Sequence, residues 1–474
     1  MNNDLNLQNL IGKTALIECD NSNIYKVIEG IYSSLGASVS KVKDSDSKEF
    51  IIPDIYCVVS SVQGSYQYVH ASEFNYNRVQ KVADLIKSNK KGKMLLITNG
   101  LGERVITTKF PRESSMQAGI IHWWKIIASD VAQNGITSNI ISLGHAPFLN
   151  DTMDSEKEER LMKMLPIKRF VRIEDLRDAL FLLSSDDCSY MVGQTINLDG
   201  GFHLHPMKQL KGEEVLKSDN TYDLTGKTAV IIGASSGMGK ETAIELAKRG
   251  ADIVLMSRNE EKLKEVANEI REFTSKIFIK TVDVTKKEEL KEAIRYSWDY
   301  MNRLDILVYC TGYFVTERLS KNNRVWDKVI ATNFTGYVIA VMEFIKLCIK
   351  NKVSGTIVGT CSVGATDIPV INSEAYIASK AAMHKFSCSI AESYCTSGIR
   401  INCVAPGCVK TPMISCVTDE YIGYWIDNIP MGRIGKPNDI SKVIAYLASS
   451  ASSYVTGSVI AVDGGFLLNK LNMF

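Results

Sequence analysis

The sequence predicts an α/β protein with two tandem, doubly wound parallel sheets, the first of which lacks an edge strand–helix unit. Three observations support this fold class: the length, an internal repeat and the alternation of elements within each repeat. With 474 residues and 45% hydrophobic residues, the chain is long enough for two or three domains with buried cores. We therefore expect more than one folded domain.

Two pairs of similar stretches indicate a tandem duplication. Residues 12–17 (GKTALI) resemble residues 226–231 (GKTAVI), and residues 169–202 align without a gap with residues 433–466. We predict a first domain at 1–207 and a second at 222–474. Residues 208–221 between them are charged and lack apolar periodicity, which predicts an exposed linker.

The second copy alternates short β-branched runs with amphipathic helical stretches, the pattern of a parallel sheet covered by helices on both faces. Two of its helices are predicted at 238–249 and 374–397. Strands are predicted at 228–232, 252–256, 277–282, 306–308, 355–358, 400–404 and 459–462.

The first copy is shorter between Ala37 and Asp54 than the second copy is between the aligned Ala251 and Asp305. The missing residues include the strand predicted at 277–282. In a doubly wound sheet this strand lies at the edge, so its loss need not open the core. We therefore predict that the first sheet has lost an edge strand and its helix.

A glycine-rich segment at 233–239 (GASSGMG) follows the first predicted strand of the second copy and opens a helix. Glycines there let the backbone approach a pyrophosphate, whose charge is stabilised by the amides of the helix N-terminus. The position predicts a Rossmann-type dinucleotide site. Its predicted ligands are Gly233, Ser235, Ser236, Gly237, Met238 and Gly239. The aligned segment of the first copy, 19–25 (CDNSNIY), has no glycine and predicts no dinucleotide.

Arg258 follows the second strand of the second copy, where an acidic residue would bind the ribose hydroxyls of NAD. An arginine at this position can pair with the 2′-phosphate of NADP. We therefore predict NADP(H), although Arg258 could also be an ordinary surface arginine.

Tyr376 and Lys380 lie four residues apart on the long predicted helix, so both side chains can face one ligand. A nearby cation favours the phenolate and is expected to move the pKa of the tyrosine toward neutrality, where acid–base catalysis is efficient. Such a pair is also common by chance on solvated helices. The glycine-rich segment and the residues described next favour the catalytic interpretation.

The second copy resembles the short-chain dehydrogenase/reductases over roughly 250 residues, and within that family it is most similar to 3-oxoacyl-[acyl-carrier-protein] reductases. The resemblance is carried by residues 233–239, Asp283-Val284, Asn333–Gly336 (NFTG), Ser362, Tyr376-x-x-x-Lys380, Pro406-Gly407 and Asp463–Gly465 (DGG).

This resemblance implies a role for each matching residue. Ser362 would hydrogen-bond the substrate oxygen, Tyr376 would donate its proton to it, and Lys380 would lower the pKa of Tyr376 and hold the nicotinamide ribose. Asn333 would position a water linking Lys380 to solvent. The remaining predicted contacts of the cofactor are Asp283 and Val284 at the adenine, and Pro406, Gly407 and Thr411 at the nicotinamide.

Three further features of the second copy concern cofactor affinity or the substrate. Residues 309–312 (YCTG) stand where the family has Asn-Asn-Ala-Gly, so the usual asparagine contacts are absent. Carrier-protein docking arginines are absent near the end of the Tyr376 helix, where Lys346, Lys350 and Lys352 are basic candidates or simply a solvated helix end. The resemblance also makes 408–431 a substrate lid. Its aromatics Tyr421, Tyr424 and Trp425 favour an apolar substrate portion or serve packing.

In the first copy, Glu113, Gln117 and Asn99 align with Tyr376, Lys380 and Ser362, which predicts a catalytically inactive pseudoenzyme domain. Its corresponding helix has a broad apolar face that needs covering. That face comprises Ile120, Ile121, Trp123, Trp124, Ile127 and Val131. We hypothesise that it packs on Met383, Phe386 and Ile390 as an intramolecular pseudo-dimer, with further homodimerisation left open. Alternatively, these residues fill the core of their own domain.

Composition sets further expectations. A net charge of +2 does not favour nucleic acid, and no apolar run reaches the length of a membrane span. Eleven cysteines without metal-ligand spacing, and the absence of an export signal at the start, predict a cytoplasmic protein with reduced thiols and no metal. We expect NADPH-dependent reduction of a ketone or 3-oxoacyl thioester, small or carrier-bound. The alternatives are an alcohol dehydrogenase acting oxidatively and a non-catalytic NADP-binding scaffold.

Overall fold

The computed structural model describes most of the chain and forms two parallel sheets. The predicted linker at 208–221 lies outside the described residues. The described residues are 10–19, 21–42, 53–59, 76–99, 111–149, 155–204, 222–274, 276–315, 323–365, 373–415 and 417–468.

The first sheet has six described strands in the order β2-β1-β3-β4-β5-β6, and every pairing is parallel. Its strands are β1 (Thr14–Glu18), β2 (Ser38–Lys41), β3 (Ile55–Val59), β4 (Lys93–Asn99), β5 (Thr137–Leu143) and β6 (Thr195–Leu198). The accompanying helices are α1 (Ser22–Ser34), α2 (Tyr76–Asn89), α3 (Pro111–Ala132), α4 (Ser155–Met164) and α5 (Ile173–Ser184).

The second sheet has seven described strands, all parallel, in the order β13-β12-β11-β10-β7-β8-β9. They are β7 (Thr228–Ile232), β8 (Asp252–Ser257), β9 (Ile277–Thr281), β10 (Ile306–Tyr309), β11 (Gly355–Thr360), β12 (Ile399–Pro406) and β13 (Val459–Val462). The helices are α6 (Gly237–Lys248), α7 (Glu260–Ile270), α8 (Lys287–Met301), α9 (Asn323–Ile330), α10 (Gly336–Asn351), α11 (Glu374–Cys395), α12 (Asp419–Asn428) and α13 (Pro437–Ala448).

The two strand orders confirm the predicted fold class. Among the described strands of the second sheet, β9 pairs only with β8 and closes one edge. In the first sheet the corresponding edge is β2, the partner of the first strand, and no described strand lies beyond it. The predicted deletion therefore removed an edge strand and left the central strands of the sheet in place.

The compact units of the structure do not coincide with the sequence repeats. The first unit comprises Met1–Lys211 together with Asp427–Arg433 and Gly464–Phe474, and the second comprises Gly212–Ile426 and Ile434–Asp463. Two short segments of the second repeat therefore belong to the first unit, which the sequence analysis did not anticipate.

The apolar face of α3 lies inside the core of the first unit. Ile120 and Trp124 have no exposed surface, and they pack in one cluster with Val79 of α2 and Met94 of β4. Ile121, Ile127 and Val131 belong to the same buried cluster, and Trp123 packs against it. These residues fill their own domain, as the alternative interpretation held, so the face does not require a cover from α11.

One described segment, Val325–Asn351, is long and apolar enough to cross a membrane by length and composition alone. Of its most apolar window, 56% is buried within the protein. The core helix of a soluble protein meets the same criterion, so the segment is weak evidence for a membrane span.

Candidate active site

Helix α11 and the segment after β11 bring Tyr376, Lys380 and Ser362 together. Tyr376 and Lys380 lie one turn apart on α11, with the Lys380 Nζ 5.9 Å from the centre of the Tyr376 ring. The Ser362 hydroxyl, two residues beyond β11, hydrogen-bonds the Tyr376 phenol. The Gly364 amide donates to Ser362 Oγ at 3.2 Å, which orients the serine. The two hydroxyls that the sequence predicted to face one carbonyl oxygen are neighbours.

The pKa of Tyr376 departs from the expectation. Burial raises it to about 12, and the hydrogen bond from Ser362 lowers it only in part. Burial removes water from around the phenolate, which disfavours the charged form. The expectation of a pKa moved toward neutrality is therefore wrong. The phenol is protonated at neutral pH, as a proton donor must be.

Lys380 is a buried cation whose hydrogen bonding comes from the backbone. Only 4% of the residue is exposed, and its Nζ donates to the Thr360 carbonyl at 2.7 Å. Burial lowers the pKa of Lys380 to about 8 because a desolvated ammonium is disfavoured. The side chain therefore titrates close to neutral pH.

Asn333 joins α11 to the segment that follows β10. It lies in a π-helical turn, Ala331–Thr335, between α9 and α10, and is fully buried. Its Oδ1 accepts from the Tyr313 amide at 2.7 Å, while its Nδ2 donates to the Tyr313 carbonyl at 3.1 Å and to Ser379 Oγ at 3.0 Å. Such π-turns frequently occur at functional sites. Asn333 therefore fixes the loop after β10 against the helix of Tyr376 and Lys380.

Tyr309 stands at a position where the family has asparagine, and its side chain makes a different hydrogen bond. Its hydroxyl donates to the Thr332 carbonyl at 2.6 Å, inside the π-helical turn. A Cβ at Gly336 would lie 2.6 Å from the Tyr309 hydroxyl, so this glycine leaves room for the phenol. The strand β10 is thus tied to the turn of Asn333 by a different residue.

A cleft of about 770 Å³ lies at the carboxyl ends of β7, β8 and β10 and is large enough for a dinucleotide. Gly233 has a φ of +94°, and a Cβ there would lie 2.8 Å from the Thr311 amide nitrogen. Gly237 has a φ of +54° at the start of α6, where glycine is favoured. The loop therefore brings bare backbone to the N-terminus of α6, which suits a pyrophosphate.

Most predicted cofactor residues line this cleft, and three do not. The residues found in its lining are Gly233, Ser235, Ser236, Gly237, Met238, Arg258, Asp283, Val284 and Thr411. Gly239 instead packs behind the loop, where a Cβ would lie 2.1 Å from the Gly233 carbonyl oxygen. Pro406 and Gly407 end and follow β12 without lining the cleft, and Gly407 lies against Asp463.

Four residues at the site were missed by the sequence analysis. Tyr313, Lys328 and Met413 line the cleft, and the Lys328 Nζ lies 4.4 Å above the Tyr313 ring. Phe314 packs edge-on against Tyr376 with their ring centres 5.1 Å apart. Tyr313 and Phe314 follow the carboxyl end of β10, and this position could have identified them, because ligands bind outside the carboxyl ends of parallel strands.

Comparison with known proteins places both halves in one family. The family model described as "Enoyl-(Acyl carrier protein) reductase" matches residues 74–203 and 233–467. A short-chain dehydrogenase/reductase from Mycobacterium marinum has a similar structure, with a TM-score of 0.50 and 31% identity over 52% of this chain and 97% of that chain. A structure described as an NAD(P)-dependent gluconate 5-dehydrogenase from Beutenbergia cavernae, with NADP bound at low occupancy, also has a TM-score of 0.50, with 30% identity over 52% of this chain and 98% of that chain.

Curated relatives agree with this placement. The 3-oxoacyl-[acyl-carrier-protein] reductase FabG of Chlamydia pneumoniae is 33% identical over 51% of this chain and 97% of the relative. A glucose 1-dehydrogenase of Gluconobacter oxydans is 35% identical over 51% of this chain and 92% of the relative. Relatives of this kind are oxidoreductases of carbonyl and hydroxyl groups. With two parallel α/β sheets and a family match in both halves, the chain belongs to the short-chain dehydrogenase/reductases, as a tandem pair of such domains.

Proposed function

We propose that the second unit reduces a ketone or a 3-oxoacyl thioester to the hydroxyl with NADPH. The adjacent hydroxyls of Ser362 and Tyr376 are the observation that supports this most directly. Two donors aimed at one point stabilise the negative charge that develops on a carbonyl oxygen during reduction. The likeness to FabG favours a 3-oxoacyl thioester, and the likeness to glucose 1-dehydrogenase favours a free carbonyl.

The reaction requires one proton and one hydride. NADPH, when bound, supplies the hydride to the carbonyl carbon. Ser362 donates a hydrogen bond to the carbonyl oxygen, and Tyr376 transfers its phenolic proton to the same oxygen as the C=O bond becomes a C–O–H group. Lys380, held by Thr360, stabilises the phenolate left on Tyr376 until a proton from solvent restores it. Asn333 keeps the loop after β10 and helix α11 in place.

NADPH rather than NADH is proposed because two cations line the adenosine side of the cleft. Arg258 is exposed at the end of β8, and Lys328 lines the same cleft. Glu260 and Glu261 also lie there, but Lys264 pairs with both at 3.0 Å. A 2′-phosphate would gain a charge-assisted hydrogen bond from the guanidinium.

The first repeat is proposed to be a non-catalytic partner of the second within one chain. The three replaced catalytic positions and the lack of a glycine-rich loop support this role. The predicted packing of α3 on α11 remains a prediction, although the burial of α3 in its own core removes the reason first given for it.

The test is NADPH oxidation by the full chain against a panel of 3-oxoacyl thioesters, free ketones and aldehydes, with NADH in parallel. We expect turnover with at least one carbonyl and a preference for NADPH. Arg258→Gln should reduce that preference by about tenfold, the value of one hydrogen bond to a charged group. The matched control Arg271→Gln, an exposed arginine at the end of α7, should leave it unchanged.

Two results would support the other readings. Alcohol oxidation with NADP⁺ in the absence of measurable carbonyl reduction would favour an alcohol dehydrogenase. Tight NADPH binding without turnover of any panel member would favour a binding scaffold. An unchanged NADPH preference in Arg258→Gln would contradict the role given to Arg258.

A further inference from the structure

The first compact unit contains two segments that the second repeat contributes. These are Asp427–Arg433 and Gly464–Phe474. The chain enters the first of them within α12 (Asp419–Asn428), in the stretch that family resemblance makes a substrate lid. The second begins directly after β13, the last strand. The carboxyl end of the lid helix is therefore part of the first unit, whereas its amino end belongs to the second.

Tyr190, from the first repeat, contacts both contributed segments. Its hydroxyl donates to the Arg433 carbonyl at 3.0 Å, and the Arg433 guanidinium lies 4.5 Å above its ring. The Gly464 amide donates to the Tyr190 carbonyl at 2.9 Å. The residue is 1% exposed. One buried tyrosine thus binds the two segments through its hydroxyl, its ring and its backbone.

The packing around these contacts leaves little free space. A Cβ at Gly464 would lie 2.6 Å from the Tyr190 ring, and one at Gly193 would lie 2.4 Å from the Leu468 side chain. Ala128, Ala132 and Val192 form a small buried cluster against which Met431 and Leu468 pack. These glycines, alanines and valine leave room for the two contributed segments. Larger side chains at the same positions would push the segments away from the first repeat. The fit is close at side-chain level, so small changes should be felt.

The Met431 amide donates to the Gly464 carbonyl at 3.2 Å, which joins the two segments to each other. A displacement of one segment therefore disturbs the other. Because Ile429 and Pro430 are buried directly after α12, the end of that helix cannot move without exposing them.

We propose that Tyr190 is a positioning residue for the substrate lid, through which the inactive repeat fixes the carboxyl end of α12. The carboxyl end of α12 is then held in place, and the substrate meets this helix in one orientation. In its effect on catalysis, this inference rests on the proposed function. The positioning itself does not depend on which carbonyl compound is reduced.

The experiment compares Tyr190→Phe with the wild-type full chain. This change removes the hydroxyl and keeps the ring under Arg433. Loss of one hydrogen bond should raise amide hydrogen exchange in residues 427–433 by about fivefold. The KM of the carbonyl substrate should rise by about the same factor, since the lid is less well positioned. The kcat and the dissociation constant of NADPH should change less than about twofold, because the residues lining the cofactor cleft lie elsewhere.

Tyr32→Phe is the matched control. Tyr32 is also a buried tyrosine of the first unit, and its hydroxyl bonds Ser184 Oγ at 3.1 Å. Its loss should weaken the first unit to a similar extent without changing exchange at 427–433 or the KM. Tyr190→Ala, which also removes the ring, should exceed Tyr190→Phe in both effects.

Unchanged exchange in both Tyr190 variants would overturn the proposal, as would equal effects from Tyr32→Phe. Faster exchange at 427–433 without any change in KM would show that Tyr190 holds this segment but that the contact does not affect substrate binding, which would overturn the catalytic claim. If the wild-type chain reduces no carbonyl, the proposed function fails, and hydrogen exchange still decides the positioning role because it needs no turnover.

Discussion

Helices α1 and α6 follow the first strand of their repeats. Their N-termini differ in whether the backbone amides of the first turn are capped by a side chain or left available for an anion. In α1, the Asn21 side chain accepts from the amides of Asn23 at 2.9 Å and Ile24 at 3.1 Å. In α6, the N-cap Ser236 makes no side-chain cap bond to any described residue and lines the cofactor cleft. Free amides at a helix start are what a phosphate binds. The first repeat has used these donors for its own stability.

The strand ends differ in the same sense. Glu18 ends β1, is 8% exposed, accepts a short hydrogen bond from the Tyr56 hydroxyl and lies 3.6 Å from Arg78. At the aligned position of the second repeat, β7 ends in the apolar Ile232, and Gly233 follows it. A buried carboxylate repels a pyrophosphate, whereas bare glycine backbone admits it. In the first repeat, the polar contacts of Glu18 with Tyr56 and Arg78 therefore lie directly before the segment that aligns with the glycine-rich loop. The first repeat differs from the second in these contacts as well as in its lack of glycines.

The largest effect should come from Tyr376→Phe. Removing the phenolic proton should lower kcat by about 10³-fold, the usual contribution of a positioned general acid. Steady-state NADPH oxidation with the best carbonyl substrate measures this. The dissociation constant of NADPH should hardly change.

Tyr394→Phe, near the far end of the same helix, is the control and should keep wild-type turnover. Comparable activity of Tyr376→Phe and Tyr394→Phe would remove Tyr376 from the mechanism. The replacement of Tyr376 by Glu113 in the first repeat would then no longer indicate that the first repeat is inactive.

Gly239→Ala should have the next largest effect, on cofactor affinity. The new Cβ would lie 2.1 Å from the Gly233 carbonyl oxygen, so the loop must shift away from the phosphate. We expect NADPH binding about 100-fold weaker, since overpacking of this kind costs about 1–3 kcal/mol. Fluorescence titration with NADPH is the measurement. The matched change Gly30→Ala in α1 meets no atom within 4 Å and should leave binding unaltered.

The topology could be predicted from the sequence because it follows from local patterns. Apolar periodicity located the strands, and the alignment of Ala37 and Asp54 with Ala251 and Asp305 located the missing edge unit. Catalytic spacing was equally local, since Tyr376 and Lys380 share one helix face through their separation alone. Such features need no knowledge of long-range packing.

What the sequence could not provide depends on burial and on contacts between distant segments. The pKa of Tyr376 rises because its hydroxyl is desolvated, which spacing does not reveal. The core packing of Trp124 requires knowing that α3 lies over β4 and α2. The role of Tyr309 depends on the carbonyl of Thr332, in a turn that no sequence pattern indicated. The assignment of 427–433 to the first unit is likewise a long-range property.

Lys380→Met tests how much stability the buried lysine costs the second unit. Burial lowers the pKa of Lys380 to about 8, so at pH 7 the folded protein holds a desolvated ammonium that the unfolded chain hydrates freely. Removing it should stabilise the second unit by roughly 1–3 kcal/mol at pH 7 while abolishing turnover. As pH rises from about 8 to about 10.4, the unfolded chain binds more protons than the folded one, so wild type gains stability. The advantage of the variant should therefore shrink over that range.

Urea unfolding at pH 7 and pH 10 measures this difference. Lys385→Met, an exposed lysine on the same helix, should change stability by less than about 0.5 kcal/mol at either pH. A Lys380→Met protein less stable than wild type at pH 7 would show that the bond to the Thr360 carbonyl outweighs desolvation.

The smallest and most diagnostic pair is Asn21→Ala and Ser236→Ala, because each residue is the N-cap of the helix that follows the first strand of its repeat, and the two changes should have opposite effects. Asn21→Ala removes two cap bonds and should destabilise α1 by about 1 kcal/mol, seen as faster hydrogen exchange of its first turn, with NADPH affinity intact. Ser236→Ala removes no cap bond and should leave α6 equally stable, but it should weaken NADPH binding by about tenfold through a lost hydrogen bond to phosphate. If Ser236→Ala instead loosens α6 and leaves NADPH affinity unchanged, then both helix ends serve stability alone. The contrast between the two N-termini would not then account for a difference in cofactor binding between the repeats.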